Sequence, residues 1–121
     1  MERRQAYIHA EQWIAAWNER NIDAIMKHYT PAVRFSAPTV VSRWNNADGV
    51  LIGRDALRQH FKRGLEFAPN LHFELVDVLM GVDGMTIVYK RETGALVVDV
   101  VVLNEDYQGV EVSVYYGDAP S

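Results

Sequence analysis

The segment Ala95–Leu103 constrains this chain more than any other. It carries valine at 97, 98, 100, 101 and 102 and a single charge, Asp99. β-Branched side chains are stiff at χ1 and pack well on a pleated surface, so the run predicts a strand. Successive side chains of a strand face opposite ways. Val97, Asp99, Val101 and Leu103 therefore share one face, and Val98, Val100 and Val102 the other. Both faces are apolar, and an antiparallel sheet with one solvated face should show polar residues on it. Asp99 is the informative position. Facing a core it is desolvated, its pKa rises, and it becomes an acid/base candidate. Facing out it is an ordinary solvated charge, which is the usual state of a carboxylate.

The rest of the chain divides around that strand. Ala6, Ala10, Trp13, Ile14 and Trp17 recur at three- and four-residue spacing, one stripe of a helix over about residues 3–19. Asn21 is placed to cap a short second helix with stripe Ile22, Ile25, Met26 and Tyr29, ended by Pro31. Val33–Ser36 is extended and stopped by Pro38. Val40–Gly53, with Asn45-Asn46 and Asp48-Gly49 around Trp44, reads as a loop. A third helix spans about residues 54–67, with stripe Leu57, His60, Phe61, Gly64 and Leu65. Strands follow at Leu71–Met80, Met85–Arg91, Ala95–Leu103 and Val110–Tyr116, with Asp83-Gly84 as a hairpin signal. The expected class is α+β, three N-terminal helices packed on one face of an antiparallel sheet.

Composition sets the outer bounds. With 121 residues, 49% apolar and 23% charged, the expectation is one domain over residues 1–121 with an ordinary core. The net charge of -4 argues against nucleic acid or an anionic membrane as partner. Cysteine is absent, which removes disulfides, iron–sulfur clusters, thiolate zinc sites and a cysteine nucleophile. No apolar run approaches the ~20 residues of a membrane helix. Met1-Glu2-Arg3-Arg4 leads into an amphipathic helix and not a signal-peptide core, so a cytoplasmic address is expected.

Several segments together resemble the nuclear transport factor 2-like superfamily, and within it the SnoaL-like group of small bacterial proteins. Trp13–Asn18 (WIAAWN), the short helix ending in Tyr29, and Val33-Arg34-Phe35-Ser36-Ala37-Pro38 resemble its opening. Gly53–Phe61 (GRDALRQHF) resembles its third helix, and Val98–Leu103 with Val110–Gly117 its last hairpin. The resemblance implies a cone-shaped, strongly bent sheet closed by helices, an apolar pocket between them, and frequent homodimers. Function across that superfamily runs from isomerases and hydratases to binding and scaffold domains. Counted back from Gly117, Asp99 matches the strand carboxylic acid that helps form the oxyanion hole in the superfamily's ketosteroid isomerases, an acid that stays protonated. That match turns Asp99 inward. The isomerases' catalytic aspartate corresponds to Ala37, and their oxyanion tyrosine to Trp13. The last aspartate of the limonene-epoxide-hydrolase set corresponds to about Val114. Both of those catalytic sets are therefore incomplete in this chain.

The remaining candidates follow from stripe and parity. Trp17, Phe35 and Phe61 read first as core, while Trp13, Tyr29, Tyr89 and Tyr116 carry polar edges that need partners when buried. The expected pocket wall is Trp13, Trp17, Tyr29, Ala37, Phe61, Tyr89, Val101 and Tyr116, a lining suited to a small apolar or cyclic organic molecule. His60 lies on the apolar stripe of the third helix, either as a core histidine or as a pocket group acting with Asp99. His9 and His28 read as solvent-facing. No histidine pair has metal spacing, so neither metal nor organic cofactor is expected. Trp44 reads as a lid, a partner contact, or packing under its own loop. Arg34, Arg43 and Arg54 are available for an acidic substrate, none favoured over the others. The valine row Val98, Val100 and Val102, with Tyr115 on the next strand, is the expected homodimer face. The tail Asp118–Ser121 is too short to cover it.

Two functions come out nearly level. One is a cofactor-independent isomerase, lyase or hydrolase with Asp99 as acid/base, helped by His60, Tyr29 or Tyr89. The other is a non-catalytic ligand-binding or accessory module. A protein-interaction domain ranks third.

Overall fold

The computed structural model describes residues 2–117. It contains four helices, α1 (Arg3–Asn18), α2 (Ile22–Met26), α3 (Pro38–Trp44) and α4 (Arg54–Phe67). Six strands accompany them: β1 (Tyr29–Ser36), β2 (Val50–Ile52), β3 (Glu74–Met80), β4 (Gly84–Lys90), β5 (Leu96–Leu103) and β6 (Gly109–Tyr116). The strands form one curled, unclosed sheet in the order β2-β1-β6-β5-β4-β3, with the helices packed on it. The α+β class is as expected. All neighbours are antiparallel except β1 and β6, which run parallel.

Local chemistry accounts for most of these elements. α1 buries Ala6, Ala10, Trp13, Ile14 and Trp17, the stripe read from the sequence. The Asn21 side chain accepts the Ala24 N–H and caps α2. That helix ends at Met26, earlier than its stripe suggested, because the next residues pair with β6. The His28 carbonyl accepts the Gly109 N–H at 2.7 Å, and Tyr29, opposite Gly109, opens β1. Pro31 therefore lies inside a strand, at a register shift between Tyr29 and Arg34, where its missing N–H breaks no ladder.

The segment read as a loop holds two elements. Pro38 occupies the first turn of α3, where a proline has no bond to lose, and Asn45 ends the helix at φ 51. β2 then pairs with β1, Ile52 opposite Arg34. The strand expected from Leu71 starts at Glu74 and carries a bulge between Leu75 and Asp77. The bulge inverts the side-chain alternation, so Val76 is exposed while Val78 is fully buried. At the start of β4 a Cβ on Gly84 would meet the Val101 carbonyl oxygen at 1.8 Å, so only glycine allows β4 and β5 this close.

β5 fixes the two faces of the sheet. Val97, Asp99, Val101 and Leu103 point into the interior. Val98 and Val102 are half-buried on the outer face, while Val100 and the neighbouring Tyr115 are 42% and 64% exposed. The tail Asp118–Ser121, considered as a cover for that face, lies outside the described residues. Among the described residues, no helix is long and apolar enough to cross a membrane.

Candidate functional site

A cavity of about 350 Å³ opens between the helices and the inner face of the sheet. That is at the small end of the ~300–1,000 Å³ typical of ligand sites. Trp13 and Trp17 of α1, Phe61 of α4, and Tyr89, Asp99 and Tyr116 of the last three strands all line it. The aromatic wall is continuous: Phe73 packs on Tyr89 at 4.6 Å between ring centroids, and Trp17 meets Phe61 edge-on at 4.9 Å.

Asp99 is 3% exposed. In the β4–β5 ladder it lies opposite Ile87, and Tyr89 lies opposite Val97. Asp99 and Tyr89 are thus diagonal neighbours on the inner face, within reach of a long side chain. The Tyr89 hydroxyl donates to Asp99 Oδ1 at 2.8 Å. Oδ2 has no hydrogen-bond partner among the described residues. Burial pushes the Asp99 pKa up to about 7, and the Tyr89 bond, which favours the carboxylate, offsets part of that rise. Burial first, and the Asp99 carboxylate second, push Tyr89 well above the ordinary phenol range. Tyr89 therefore stays a donor while Asp99 exchanges its proton near neutrality.

A second, narrow space of about 20 Å³ lies behind Asp99, lined by Trp13, Tyr29, Ile87 and Val101 among others. It has room for about one water. Here Trp13 Nε1 donates to the Tyr29 hydroxyl at 2.8 Å. Tyr29, expected in the pocket wall from its helical stripe, and Val101, expected there from strand parity, thus line this inner space, while Asp99 and Trp13 border both. Ala37 lines neither. It is buried at the start of α3, its N–H bonded to the Gly49 carbonyl.

His60 is 3% exposed and borders the main cavity, yet among the described residues its hydrogen bonds do not reach Asp99. Trp44 Nε1 donates to Nδ1 at 2.9 Å, so that nitrogen carries no proton. In the neutral ring the proton is on Nε2, which faces Thr39 Oγ1 at 3.2 Å. Burial, then the Arg43 charge, lower the pKa to about 4, and the ring is neutral at pH 7. Trp44 accordingly belongs to the end of α3 and not to a loop, and its indole N–H holds the His60 ring.

Two surface assignments are corrected. His9 and His28 are half-buried, and the His9 ring stacks on Tyr107 at 4.9 Å. Burial and the neighbouring His9 lower His28 to about 4.

Sequence reasoning missed the mouth of the cavity. Phe73, Thr39, Arg91 and Glu92 all contribute to the lining, as does Arg43, which had been one of three undifferentiated arginines. Phe73 was legible through its parity with Leu71. Its position is fixed by Asn18, whose side chain bonds both the Phe73 N–H and its carbonyl. Thr39 and Arg43 were hidden because α3 was read as loop. Among the described residues, no group of three or more His, Asp or Glu side chains is placed to hold a metal ion.

Comparison with known proteins agrees with this architecture. The SnoaL-like domain model matches residues 10–114. No curated protein sequence matches the chain. Among solved structures, a SnoaL-like protein of unknown function from Burkholderia thailandensis E264 superposes with a TM-score of 0.90 at 30% identity, covering 98% of this chain and 99% of that one. A candidate isomerase of the SnoaL-like family from Agrobacterium tumefaciens strain C58 gives 0.72 at 18% identity, covering 94% and 98%. TerC, co-crystallised with polyporic acid, gives 0.73 at 13% identity, covering 90% and 89%. The last two share the fold. The match over residues 10–114 and the likeness to the Burkholderia protein together establish that this chain belongs to the SnoaL-like family.

Proposed function

We propose that the main cavity binds a small cyclic organic molecule and that Asp99 acts on it as acid/base, in an isomerase, lyase or hydrolase reaction that needs no cofactor. One observation carries this reading: a buried carboxyl group poised to exchange its proton near pH 7, hydrogen-bonded by Tyr89, in the wall of an aromatic cavity. The Tyr89 bond occupies Oδ1 and leaves Oδ2 to give or take the proton. As the protonated acid, Asp99 stabilises an anion forming on the bound molecule, and as the carboxylate it abstracts a proton. The two nitrogens of His60 are engaged by Trp44 and Thr39, so His60 shapes the wall and is not assigned a proton transfer.

Native mass spectrometry of the purified protein identifies a captured compound. Incubation of that compound in D2O with protein then reads the chemistry. Product or deuterium incorporation that disappears in Asp99→Asn, with binding retained, supports the acid/base role. Recovery of the compound unchanged and undeuterated favours the second reading, a binding module without chemistry. That reading draws on Ala37, which lies outside both spaces, and on Trp13, whose N–H is spent on Tyr29. We further propose that the outer face of β5 and β6 pairs two copies of the chain.

A further inference from the structure

The mouth of the cavity carries an uncompensated positive charge. Arg43, at the end of α3, points its guanidinium across to α4. Nη1 donates to the His60 carbonyl at 3.1 Å and approaches His60 Nδ1 at 3.4 Å. Nε–H and both N–H groups of Nη2 have no acceptor among the described residues, and no carboxylate pairs with Arg43 there. The guanidinium lies over the Phe67 ring at 5.3 Å, and the Arg63 guanidinium lies over the same ring at 5.9 Å. Arg63 likewise has no carboxylate partner among the described residues. The other arginine of the lining, Arg91, is paired with Glu92 at 2.9 Å, so the rim's one acid is already used.

The surroundings suit an anion. Gly64 faces Arg43 from α4, and a Cβ there would stand 3.3 Å from Nη1, so the glycine leaves the notch in which the guanidinium sits. Thr39 orients a second hydroxyl at the site. In the neutral ring with its proton on Nε2, His60 donates to Thr39 Oγ1, and the Thr39 hydroxyl proton goes to the Tyr116 oxygen. The Tyr116 hydroxyl is near enough to Thr39, Arg43 and Arg91 for all three to favour its ionisation, although burial, helped by Asp99, outweighs them and raises its pKa. Tyr116 therefore also stands as a donor. These donors and Asp99 border one cavity. An anionic group is repelled by Asp99 when that residue is ionised and attracted by Arg43.

We propose that the ligand is a carboxylic acid on a ring system, bound with its carboxylate on Arg43 at the rim and its apolar body directed toward Asp99. The proposal rests on the reading of the cavity as a small-molecule site and names the class of molecule it takes. A planar guanidinium with an open N–H edge matches a carboxylate with two parallel hydrogen bonds.

The test compares isosteres that differ only in charge. Titration calorimetry at pH 7.5 measures binding of 2-naphthoic acid against 2-naphthamide, and of benzoic acid against benzamide. The native chain, Arg43→Met and Arg43→Lys are compared, with thermal midpoints confirming that each is folded. The expected result is a preference for the acid of about tenfold or more in the native chain, as for a hydrogen-bonded charge pair. That preference should be lost in Arg43→Met and partly restored in Arg43→Lys, with amide binding changed less than about twofold. A purely structural Arg43, tying α3 to α4, would weaken acid and amide alike. Equal binding of acid and amide, or a preference that survives in Arg43→Met, overturns the proposal and leaves the small-molecule reading standing. If neither the acids nor the amides bind, the reading of the cavity as a small-molecule site falls, and the proposal with it.

Discussion

Burying one carboxyl group makes this fold's stability depend on pH in a direction that identifies the group. Asp99 titrates near 3.8 in an unfolded chain and at about 7 in the native one. Between those values the native state holds a proton that the unfolded state has released. Stability therefore falls as pH rises through that window, and the loss is complete above pH 7. The gap corresponds to about 4 kcal/mol. His28 and His60 act oppositely. Their pKa values fall from 6.5 to about 4 on folding, so stability is lost as pH drops from 6.5 toward 4. The three effects oppose one another in the native chain. Asp99→Asn, which keeps an acceptor for the Tyr89 hydroxyl, removes one side. Urea midpoints at pH 4.5, 6 and 8 should show the variant gaining on the native chain as pH rises. A constant difference between the two would mean that Asp99 is hydrated. A second prediction concerns His60. Trp44→Phe removes the donor on Nδ1 but keeps a ring over it, and the histidine pKa should rise above about 4 by NMR titration, because a donor to that nitrogen favours the neutral ring. An unchanged value would leave the depression to burial and the Arg43 charge. Asp99 was legible in the sequence as the one charge in a valine strand. The role of His60 was not, since its partners come from α3.

At the scale of elements, what the sequence revealed followed periodicity, and what it concealed followed local exceptions to it. α1 and α4 are long, strongly striped helices, and their reading needed no tertiary information. α3 has seven residues, and its signals are Pro38 at the start and Asn45 at the end. Both residue types also mark turns, so the same letters supported a loop. The bulge in β3 is a similar case. The alternation Leu71, Phe73, Leu75 is real, and the extra residue that moves burial to Val78 leaves no mark in the letters. Tyr29 went from helix to strand because its backbone partner, Gly109, lies 80 residues away. Gly84 gives a test at this scale. A methyl group placed 1.8 Å from the Val101 carbonyl oxygen cannot be absorbed by a side-chain rotation, because the obstacle is backbone. Gly84→Ala should therefore force β4 away from β5 and cost more than about 3 kcal/mol. Gly94→Ala, with nothing within 4 Å of its added methyl, should cost less and only through its φ of 87. Denaturant midpoints of the two variants should rank in that order, and equal loss in both would place the strain in the turns and not in the strand contact.

For the whole molecule, the valine strand couples the inside of the protein to its outside. One register sends Asp99 to the cavity and, by the same alternation, presents Val98, Val100 and Val102 to the far face. That face continues across the ladder into Tyr115, which lies opposite Val98 and is 64% exposed, and into Ser113, opposite Val100. Shifting the strand by one residue would expose the acid and bury the valine row, so neither feature is free to change alone. On the proposed pairing of two copies, Val100 and Tyr115 lie in an apolar contact. Removing water from them adds roughly 25 cal/mol per Å² of buried apolar surface to association. The double variant Val100→Lys with Tyr115→Lys puts like charges into that contact while leaving the inner face untouched. Sedimentation equilibrium should find the native chain at twice its own mass and the variant at one. Because Asp99 and the lysines stand on opposite sides of the sheet, the variant should still show the Asp99-dependent loss of stability between about pH 4 and 7. A native chain that sediments as a monomer would remove the pairing and leave the acid in place. A variant that loses both pairing and the pH dependence would mean that the register of β5 is held by the second subunit.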